Sequence, residues 1–98
     1  MLIYKVFRAA EWAALEAHGT TQGAPVDLAD GFIHFSTAEQ LPGTLARHFH
    51  GERDLRLVAV DAVAAGDALR WEPARDGALF PHLYRQLIRE DVLWMREM

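Results

Sequence analysis

The chain has no cysteine and only one serine, Ser36, and these two absences exclude several kinds of protein. Without cysteine there is no disulfide framework, no thiolate zinc site, no iron–sulfur cluster and no cysteine nucleophile. Ser36 does not lie in a Gly-x-Ser-x-Gly pattern, which argues against a serine hydrolase of that type. No glycine-rich loop precedes a predicted helix, so a P-loop or Rossmann nucleotide site is not expected either.

Long apolar runs and an excess of positive charge are missing as well. No stretch approaches the ~20 apolar residues that a membrane helix requires, and the sequence MLIYKVFRAAEW lacks the features of a signal peptide. We therefore expect a cytoplasmic protein that does not contact a membrane. The 14 acidic and 10 basic residues give a formal charge of -4, so general binding to nucleic acid is not expected.

The apolar content of the chain is sufficient for one small folded unit. Of the 98 residues, 51% are hydrophobic and 24% are charged, which is an ordinary composition for a globular protein. A chain of this length buries only about two thirds of its unfolded surface and does not divide into two cores. No internal repeat or linker is visible, so residues 1–98 are predicted to form a single domain.

The periodicity of the apolar residues predicts an α+β fold with two or three short helices. Gly19 is expected to end the first helix, and the stretch 19–30 is predicted to be a loop. The final stretch, 80–98, is predicted to form two short strands, with a helix over 83–89 as the alternative. The remaining predictions are strands at 2–7, 31–36, 55–60 and 68–72 and helices at 9–17 and 42–49.

The first candidate for a functional site is the motif Gly-Phe-Ile-His-Phe-Ser-Thr. His34 and Ser36 lie on the same face of the predicted strand, an arrangement that can hold the hydroxyl or amide groups of a ligand. In the alternative interpretation, Ser36 and Glu39 form a capping box that starts a helical turn, and His34 is a core residue bonded to the backbone.

Three further candidates come from the rest of the chain. The motif Phe-Pro-His-Leu-Tyr places His82 and Tyr84 two residues apart, either to bind a ligand or as a turn with a packed tyrosine. Glu72, at the end of a predicted strand, is either a general base or a surface charge paired with an arginine. Lys5 is either a buried cation of altered basicity or a lysine whose amine extends to water.

The five histidines do not form a recognisable metal-binding motif. His48 and His50 are two residues apart and point to different sides of a helix, and no His-x-x-x-His or His-Glu-x-x-His pattern occurs. A metal site would depend on a pairing of His34 with His82 alone, and none is predicted.

Taken in order along the chain, these motifs resemble one family. The chain shares with the family called domain of unknown function 952 the blocks Leu2-Ile3-Tyr4, Asp30-Gly31-Phe32-Ile33-His34, Ser36-Thr37, Leu69-Arg70-Trp71-Glu72 and Phe80-Pro81-His82-Leu83-Tyr84. The match covers nearly the whole chain, and the two blocks that contain His34 and His82 are specific when they occur in this order. The family has no established activity, so the resemblance implies none for this chain.

The resemblance implies a fold similar to the ADP-ribosyltransferase superfamily, in which a split, strongly bent sheet surrounds a cleft for a nicotinamide dinucleotide. The nearest likeness is to the RNA 2'-phosphotransferases, where a His-x-Ser pattern, a helix and a Val-Asp strand end follow in the order of His34, 42–49 and Asp61 here. NAD or ADP-ribose is therefore the implied ligand. The implied site has His34 and Glu72 as catalytic candidates and, as ligand-binding residues, Lys5, Ser36, Thr37, His82 and Tyr84.

The chain also departs from the transferase pattern. Lys5 stands where the transferases have a histidine that helps to hold the dinucleotide, and Asp30 and Gly31 stand where the phosphotransferases use arginines. An acid at that place repels a phosphate. Glu72 is the only counterpart, by order, of the catalytic glutamate. These departures predict a cleft that binds a nucleotide-like ligand through His34 and Tyr84 but has lost the transfer chemistry.

Two other functions stay open at this point. The first is a small transferase or hydrolase that acts on another substrate through His34 and His82, for which a pH dependence near neutrality is the expected sign. The second is a non-catalytic protein-interaction module with an exposed apolar patch around Trp94. The sequence does not decide whether the chain is an enzyme, nor its oligomeric state.

Overall fold

Eight strands and four short helices make up the computed structural model, which describes residues 1–98. The strands are β1 (Leu2–Arg8), β2 (Thr20–Thr21), β3 (Ile33–His34), β4 (Leu55–Asp61), β5 (Leu69–Pro73), β6 (Leu79–Leu83), β7 (Leu87–Ile88) and β8 (Val92–Glu97). The helices are α1 (Ala9–His18), α2 (Pro25–Asp30), α3 (Leu41–His48) and α4 (Ala62–Ala65). Single 3₁₀ turns occupy Gly66–Ala68, Arg75–Gly77 and Arg89–Asp91. The predicted α+β class is confirmed.

The strands form three small antiparallel sheets, in the orders β1-β4-β8, β3-β6-β5 and β2-β7. The two three-stranded sheets meet at Tyr4 and Ser36, whose backbones exchange two hydrogen bonds of 2.8 Å each. This junction places the middle of β1 beside the segment that follows β3. Lys5 and His34, 29 positions apart in sequence, are thereby brought to the same part of the domain.

One apolar core lies between the sheets and helix α1. Strand β4 is the central strand of its sheet, which explains why its sequence LRLVAVD is nearly continuous in apolar residues. Helix α1 contributes Leu15, which is completely buried. The buried core residues are Ile3, Phe7, Leu15, Ile33, Phe35, Val58, Val60, Ala65, Leu83 and Leu87.

The helix predicted at 9–17 is confirmed, and its ends show the expected signals. The backbone N–H of Arg8 donates to the carboxylate of Glu11 at 2.8 Å, which satisfies one of the free donors at the start of the helix. Gly19 ends the helix in the left-handed conformation, with φ of 79°, which glycine adopts without steric cost.

The stretch 19–30, predicted to be a loop, is the largest error of the sequence analysis. It contains β2 and the helix α2, with Pro25 in its first turn. The side chain of Asp27 accepts a hydrogen bond from the backbone N–H of Ala24 at 2.7 Å and so stabilises the start of α2. This helix was missed because α2 has only six residues, too few to show an apolar period.

The segment around Ser36 also differs from the prediction in detail. The strand predicted at 31–36 is regular only at Ile33–His34. The capping box joins Thr37 and Gln40 instead of Ser36 and Glu39, with the Thr37 N–H donating to Gln40 Oε1 at 3.0 Å and the Gln40 N–H donating to Thr37 Oγ1 at 3.2 Å. Helix α3 follows at the predicted place. The shift by one residue leaves the Ser36 hydroxyl free for other contacts.

The final stretch contains three strands instead of the predicted two, and the alternative helix over 83–89 does not form. Strand β6 is the middle strand of its sheet and pairs with both β3 and β5. This position accounts for the burial of Phe80, Pro81, His82 and Leu83. The longest helix, α1, has 10 residues, about half of the ~20 that a membrane-spanning helix needs.

Candidate functional site

The largest cavity of the domain has a volume of about 610 Å³ and lies between β1, α3 and the paired strands β3 and β6. Its volume is in the range of small-molecule sites, which are typically ~300–1,000 Å³. Four of the residues that the sequence analysis singled out line this cavity: Lys5, His34, Ser36 and His82.

The other three candidates lie next to the cavity without lining it. Thr37 holds the start of α3 through its bonds with Gln40. Glu72 does not line the cavity but contacts His82, which does. Tyr84 lines a second, smaller cavity of about 290 Å³.

Lys5 is the only lysine of the chain, and it is buried. Its Nζ atom forms an ion pair of 2.7 Å with Oδ2 of Asp27, whose side chain is completely enclosed. Of the two interpretations of Lys5, the buried cation is therefore the one observed. Burial lowers the pKa of Lys5, although the neighbouring Asp27 carboxylate acts in the opposite direction.

Asp27 is the central residue of this cluster, and the sequence analysis missed it. It binds the ammonium group of Lys5, the backbone N–H of Ala24 at 2.7 Å, and both the backbone N–H and the ring Nδ1 of His34 at 3.0 and 2.6 Å. Burial alone raises the pKa of Asp27, but the hydrogen bonds from His34 and Lys5 outweigh it, so the pKa is lowered. An acid two residues after Pro25 was the available sequence signal.

The backbone beside Asp27 is fitted to the carboxylate. Gly23 has a φ of 99°, and a Cβ atom at this position would overlap the Asp27 side chain. Only glycine allows the chain to pass this close to the carboxylate.

His34 lies between two carboxylates and is one-third exposed. Its Nδ1 atom is 2.6 Å from Asp27 and its Nε2 atom is 3.0 Å from Asp30. A neutral imidazole has one N–H only, so both contacts are hydrogen bonds only when the ring carries two protons. The alternative interpretation, in which His34 is a core residue bonded to the backbone, is wrong, because the ring contacts these two carboxylates and is partly exposed.

The second histidine, His82, is almost completely buried and is bound on one side. Its Nδ1 atom lies 2.8 Å from Oε1 of Glu72, and the hydroxyl of Tyr84 donates to the same oxygen at 2.7 Å. The hydrogen bonds from His82 and Tyr84 lower the pKa of Glu72, and the bond to Glu72 raises the pKa of Tyr84. Glu72 therefore acts as a shared acceptor for two side chains of the site.

An aromatic ring joins the two histidine clusters. Phe32 has its ring centroid 4.1 Å from that of His82, in a stacked arrangement, and 4.5 Å and 5.2 Å from those of His34 and Tyr84. Phe32 was named above only as part of the motif that contains His34, without a role of its own. Its position fixes the relative orientation of the two imidazoles, whose centroids are 5.4 Å apart.

The opposite wall of the cavity is cationic and rich in hydroxyl groups. Arg75 Nη2 donates to Thr44 Oγ1 at 3.3 Å, and Thr44 in turn bonds Ser36 Oγ at 2.7 Å. The guanidinium of Arg75 lies over the ring of Phe80 at 5.1 Å. Neither Arg75 nor Arg47, which also lines the cavity, forms an ion pair with a carboxylate.

The effect of these two arginines is visible on a neighbouring histidine. Desolvation lowers the pKa of His48 first, and the positive charges of Arg75 and Arg47 lower it further. Arg47 and Arg75 therefore lie close enough to His48 to act on its charge, in a chain that as a whole carries a formal charge of -4.

The cavity offers no evident metal site. No group of three or more histidine, aspartate or glutamate side chains is arranged to hold a metal ion. The polar residues that line the cavity are mostly cationic or hydroxyl-bearing: three arginines, Lys5, three histidines and three residues with a hydroxyl group, beside the carboxylates of Glu11 and Asp30.

Comparisons with known proteins agree with the expected family. The sequence profile of the family described as protein of unknown function (DUF952) matches residues 6–95. The crystal structure of protein CC0527 from Caulobacter crescentus is similar to this chain, with 49% sequence identity and a TM-score of 0.95, and the match covers 98% of this chain and 84% of that one. The solution structure of CC0527 matches at 48% identity and a TM-score of 0.88, covering 99% and 84% of the two chains. No match was found among curated proteins.

Proposed function

Because the chain belongs to the DUF952 family, whose description assigns no activity, we propose its function from its own site: it binds a small anionic, nucleotide-like ligand in the cavity between β1 and α3. One observation carries this proposal. Arg47 and Arg75 line the cavity without a carboxylate partner in a chain that has more acidic than basic residues. Arginines without a partner in a concave site are suited to phosphate or carboxylate groups.

The charges of the other cavity residues support this assignment by elimination. Arg8 is bound by Glu11 and Glu52, and Lys5 is bound by Asp27. These cations are compensated within the protein. The uncompensated positive charge therefore lies on the α3 side of the cavity, where Arg47 and Arg75 are found.

The shape and remaining chemistry of the cavity favour a nucleotide-like molecule over a simple anion. A volume of about 610 Å³ exceeds what a free phosphate or sulfate needs. Phe49 and Phe80, each with an arginine guanidinium over its ring, are among the lining residues, and aromatic rings pack against a base or a nicotinamide. The hydroxyls of Ser36 and Thr44 and the imidazole of His82 are suited to the ribose.

The resemblance in motif order to ADP-ribosyltransferases adds to this argument and makes NAD and ADP-ribose the first ligands to consider. The junction of the two sheets at Tyr4 and Ser36 is compatible with the bent sheet of that fold. In this assignment Lys5, His34, Ser36 and His82 contact the ligand, while Thr37, Glu72 and Tyr84 support them. The exchange of arginines for Asp30 and Gly31 argues for binding without transfer chemistry.

Thermal unfolding in the presence of NAD and ADP-ribose tests the proposal. A ligand at about a hundred times its dissociation constant adds ~2.7 kcal/mol of stability, which raises the midpoint of a domain this small by roughly 10 °C or more. Arg75→Gln should weaken the effect by about tenfold in ligand concentration, since a charged hydrogen bond contributes ~1.5–3 kcal/mol. The matched control is Arg53→Gln, which removes the same charge from an exposed arginine outside the cavity. An equal response of both variants, or no response of the wild type at millimolar ligand, contradicts the proposal.

A further inference from the structure

The two ring nitrogens of His82 have different surroundings. Nδ1 is held by Glu72 at 2.8 Å, and the ring is stacked on Phe32 with a centroid separation of 4.1 Å. Nε2 has no partner in the protein. It is not enclosed either, because every fully buried side-chain nitrogen and oxygen atom of the domain has a hydrogen bond. Since His82 lines the large cavity, Nε2 is left at the cavity surface.

The partner of Nδ1 determines what Nε2 can do. A carboxylate accepts hydrogen bonds only, so Nδ1 carries the proton in the contact with Glu72. In the neutral ring Nε2 is then a free lone pair, and that lone pair faces the site of the proposed ligand. The arrangement of a carboxylate, an imidazole and an open Nε2 is the one in which a histidine serves as a base.

We propose that Nε2 of His82 is the group of the cavity that accepts a hydrogen bond from a hydroxyl of the bound ligand, and that Glu72 is the positioning residue that keeps Nε2 unprotonated, an inference that rests on the proposed ligand site. The ligand keeps its O–H bond and donates to the lone pair of Nε2, so no covalent bond changes. The Glu72 carboxylate holds the single ring proton on Nδ1.

In this proposal Glu72 and Tyr84 do not contact the ligand, and they act on it only through His82. Glu72 does not line the cavity, and its Oε1 is already occupied by His82 and Tyr84, so it acts on a ligand through the imidazole. Tyr84 donates to Glu72 and does not touch His82 by a hydrogen bond. The proposal therefore predicts different effects for changes at these two residues.

Long-range ¹H–¹⁵N NMR correlations of the histidine rings, recorded at mildly alkaline pH on the ligand-free protein, test the positioning step. His82 is expected to show a single tautomer with the proton on Nδ1. Glu72→Gln should lose this fixed tautomer, because a side-chain amide can either donate to or accept from the ring. Tyr84→Phe is the control and should keep it, since the Glu72–His82 contact is retained. A wild-type His82 with its proton on Nε2 overturns the proposal, whatever the ligand is.

Spectra of the histidine rings and of the arginine side chains, each recorded with two probes, test the role of Nε2 and separate this proposal from the proposed function. ADP-ribose carries hydroxyl donors as well as phosphates, whereas sulfate is an anion without an O–H group. We expect ADP-ribose to shift the Nε2 resonance and both probes to shift the Arg75 side-chain resonance. A response at Arg75 with none at His82 overturns the role of His82 alone. No response at either residue overturns the proposed function and, with it, the role of His82 as a hydrogen-bond acceptor for the ligand.

Discussion

The domain contains two carboxylate–histidine pairs that are built in opposite ways. In the Asp27–His34 pair the carboxylate is 0% exposed and the imidazole is 33% exposed. In the Glu72–His82 pair the imidazole is 7% exposed and the carboxylate is 34% exposed. The two pairs are joined by the ring of Phe32, which contacts both histidines.

The difference in burial indicates a difference in role. A carboxylate that is fully removed from water must be compensated on every side, and Asp27 is compensated by Lys5, His34 and the backbone of Ala24. Removing it leaves several groups unpaired at once. The Glu72 side chain is 34% exposed and bonds only the side chains of His82 and Tyr84. We therefore expect a change at Glu72 to alter the orientation of the His82 ring more than the stability of the fold. The burial of the first pair fits a structural role, and the second pair is the one that we propose acts on a bound ligand.

The largest effect is therefore expected from Asp27→Asn. The amide has nearly the same shape as the carboxylate but leaves the buried ammonium of Lys5 without a counter-charge. Breaking a buried ion pair in this way typically costs ~3–5 kcal/mol, measured as the free energy of unfolding in urea. Asp30→Asn is the control, because Asp30 is exposed and contacts only the outer nitrogen of His34. It should cost less than about 1 kcal/mol. If the two variants lose the same free energy of unfolding, the structural role assigned to the buried Asp27 carboxylate is wrong.

The pH dependence of the free energy of unfolding should also depend on Asp27. The pKa of Asp27 in the folded protein lies below its ordinary value of 3.8. A carboxyl with a lowered pKa in the folded state stabilises the protein at every pH above its unfolded value, and this contribution is lost as the pH falls through the lowered folded value. We expect the free energy of unfolding to decline below pH 3.8, and less steeply in Asp27→Asn.

Some acid sensitivity should remain in that variant. Despite partial burial, the hydrogen bond from Arg85 lowers the pKa of Asp91, so Asp91 contributes in the same direction. Urea unfolding at a series of acidic pH values measures both parts. Identical slopes for Asp27→Asn and the wild type would show that the buried pair does not control acid stability.

An intermediate effect is expected where the two pairs meet. Phe32→Leu removes the ring that packs on His82 and His34, and aromatic contacts contribute ~0.5–1.5 kcal/mol beyond the area they bury. The free energy of unfolding should fall by about this amount, and the affinity for ADP-ribose should fall with it because both imidazoles lose their support. Phe32→Tyr keeps the ring and serves as the matched variant. A loss of stability without a loss of affinity would mean that Phe32 is only a packing residue.

The smallest effect on stability, and one of opposite sign, is expected from Gly43→Ala in helix α3. A Cβ atom at this position would lie 3.1 Å from Nη1 of Arg75, so the flexible guanidinium must move. Alanine in place of glycine within a helix adds ~0.5–1 kcal/mol of stability. The variant should therefore unfold at a slightly higher temperature and bind ADP-ribose more weakly. Unchanged binding would place the anion elsewhere than at Arg75.

The parts of the fold with strong local signals were predictable from the sequence. Helix α1 has a run of helix formers and Gly19 at its end, and β4 has an apolar sequence typical of a central strand. Helix α2 was missed because six residues show no period. The capping box was misplaced by one residue because Ser36 and Thr37 both suit a cap, and the choice depends on the pairing of Ser36 with Tyr4 across the sheet junction.

Of the candidate site, only the residues that lie within a recognisable local motif were predictable from the sequence. His34, Ser36, His82 and Lys5 were found from their strands, and they do line one cavity. Their partners were not found, because Asp27 lies in the missed helix and Arg75 in a turn, and no local pattern connects either residue to the strands. Such contacts are set by the antiparallel pairing of distant segments. The family prediction, in contrast, is confirmed, since it depends on the order of motifs along the chain.

The most direct test of the central claim is a map of backbone amide shifts in ¹H–¹⁵N spectra as ADP-ribose is added. If the cavity is the ligand site, saturable shifts should be concentrated at its lining residues, among them Lys5, Ser36, Thr44 and Arg75, while the β2–β7 pair on another part of the domain stays unchanged. Shifts centred on β2–β7 or β8, or no shifts at millimolar ADP-ribose, would contradict the claim that this cavity binds a nucleotide-like anion.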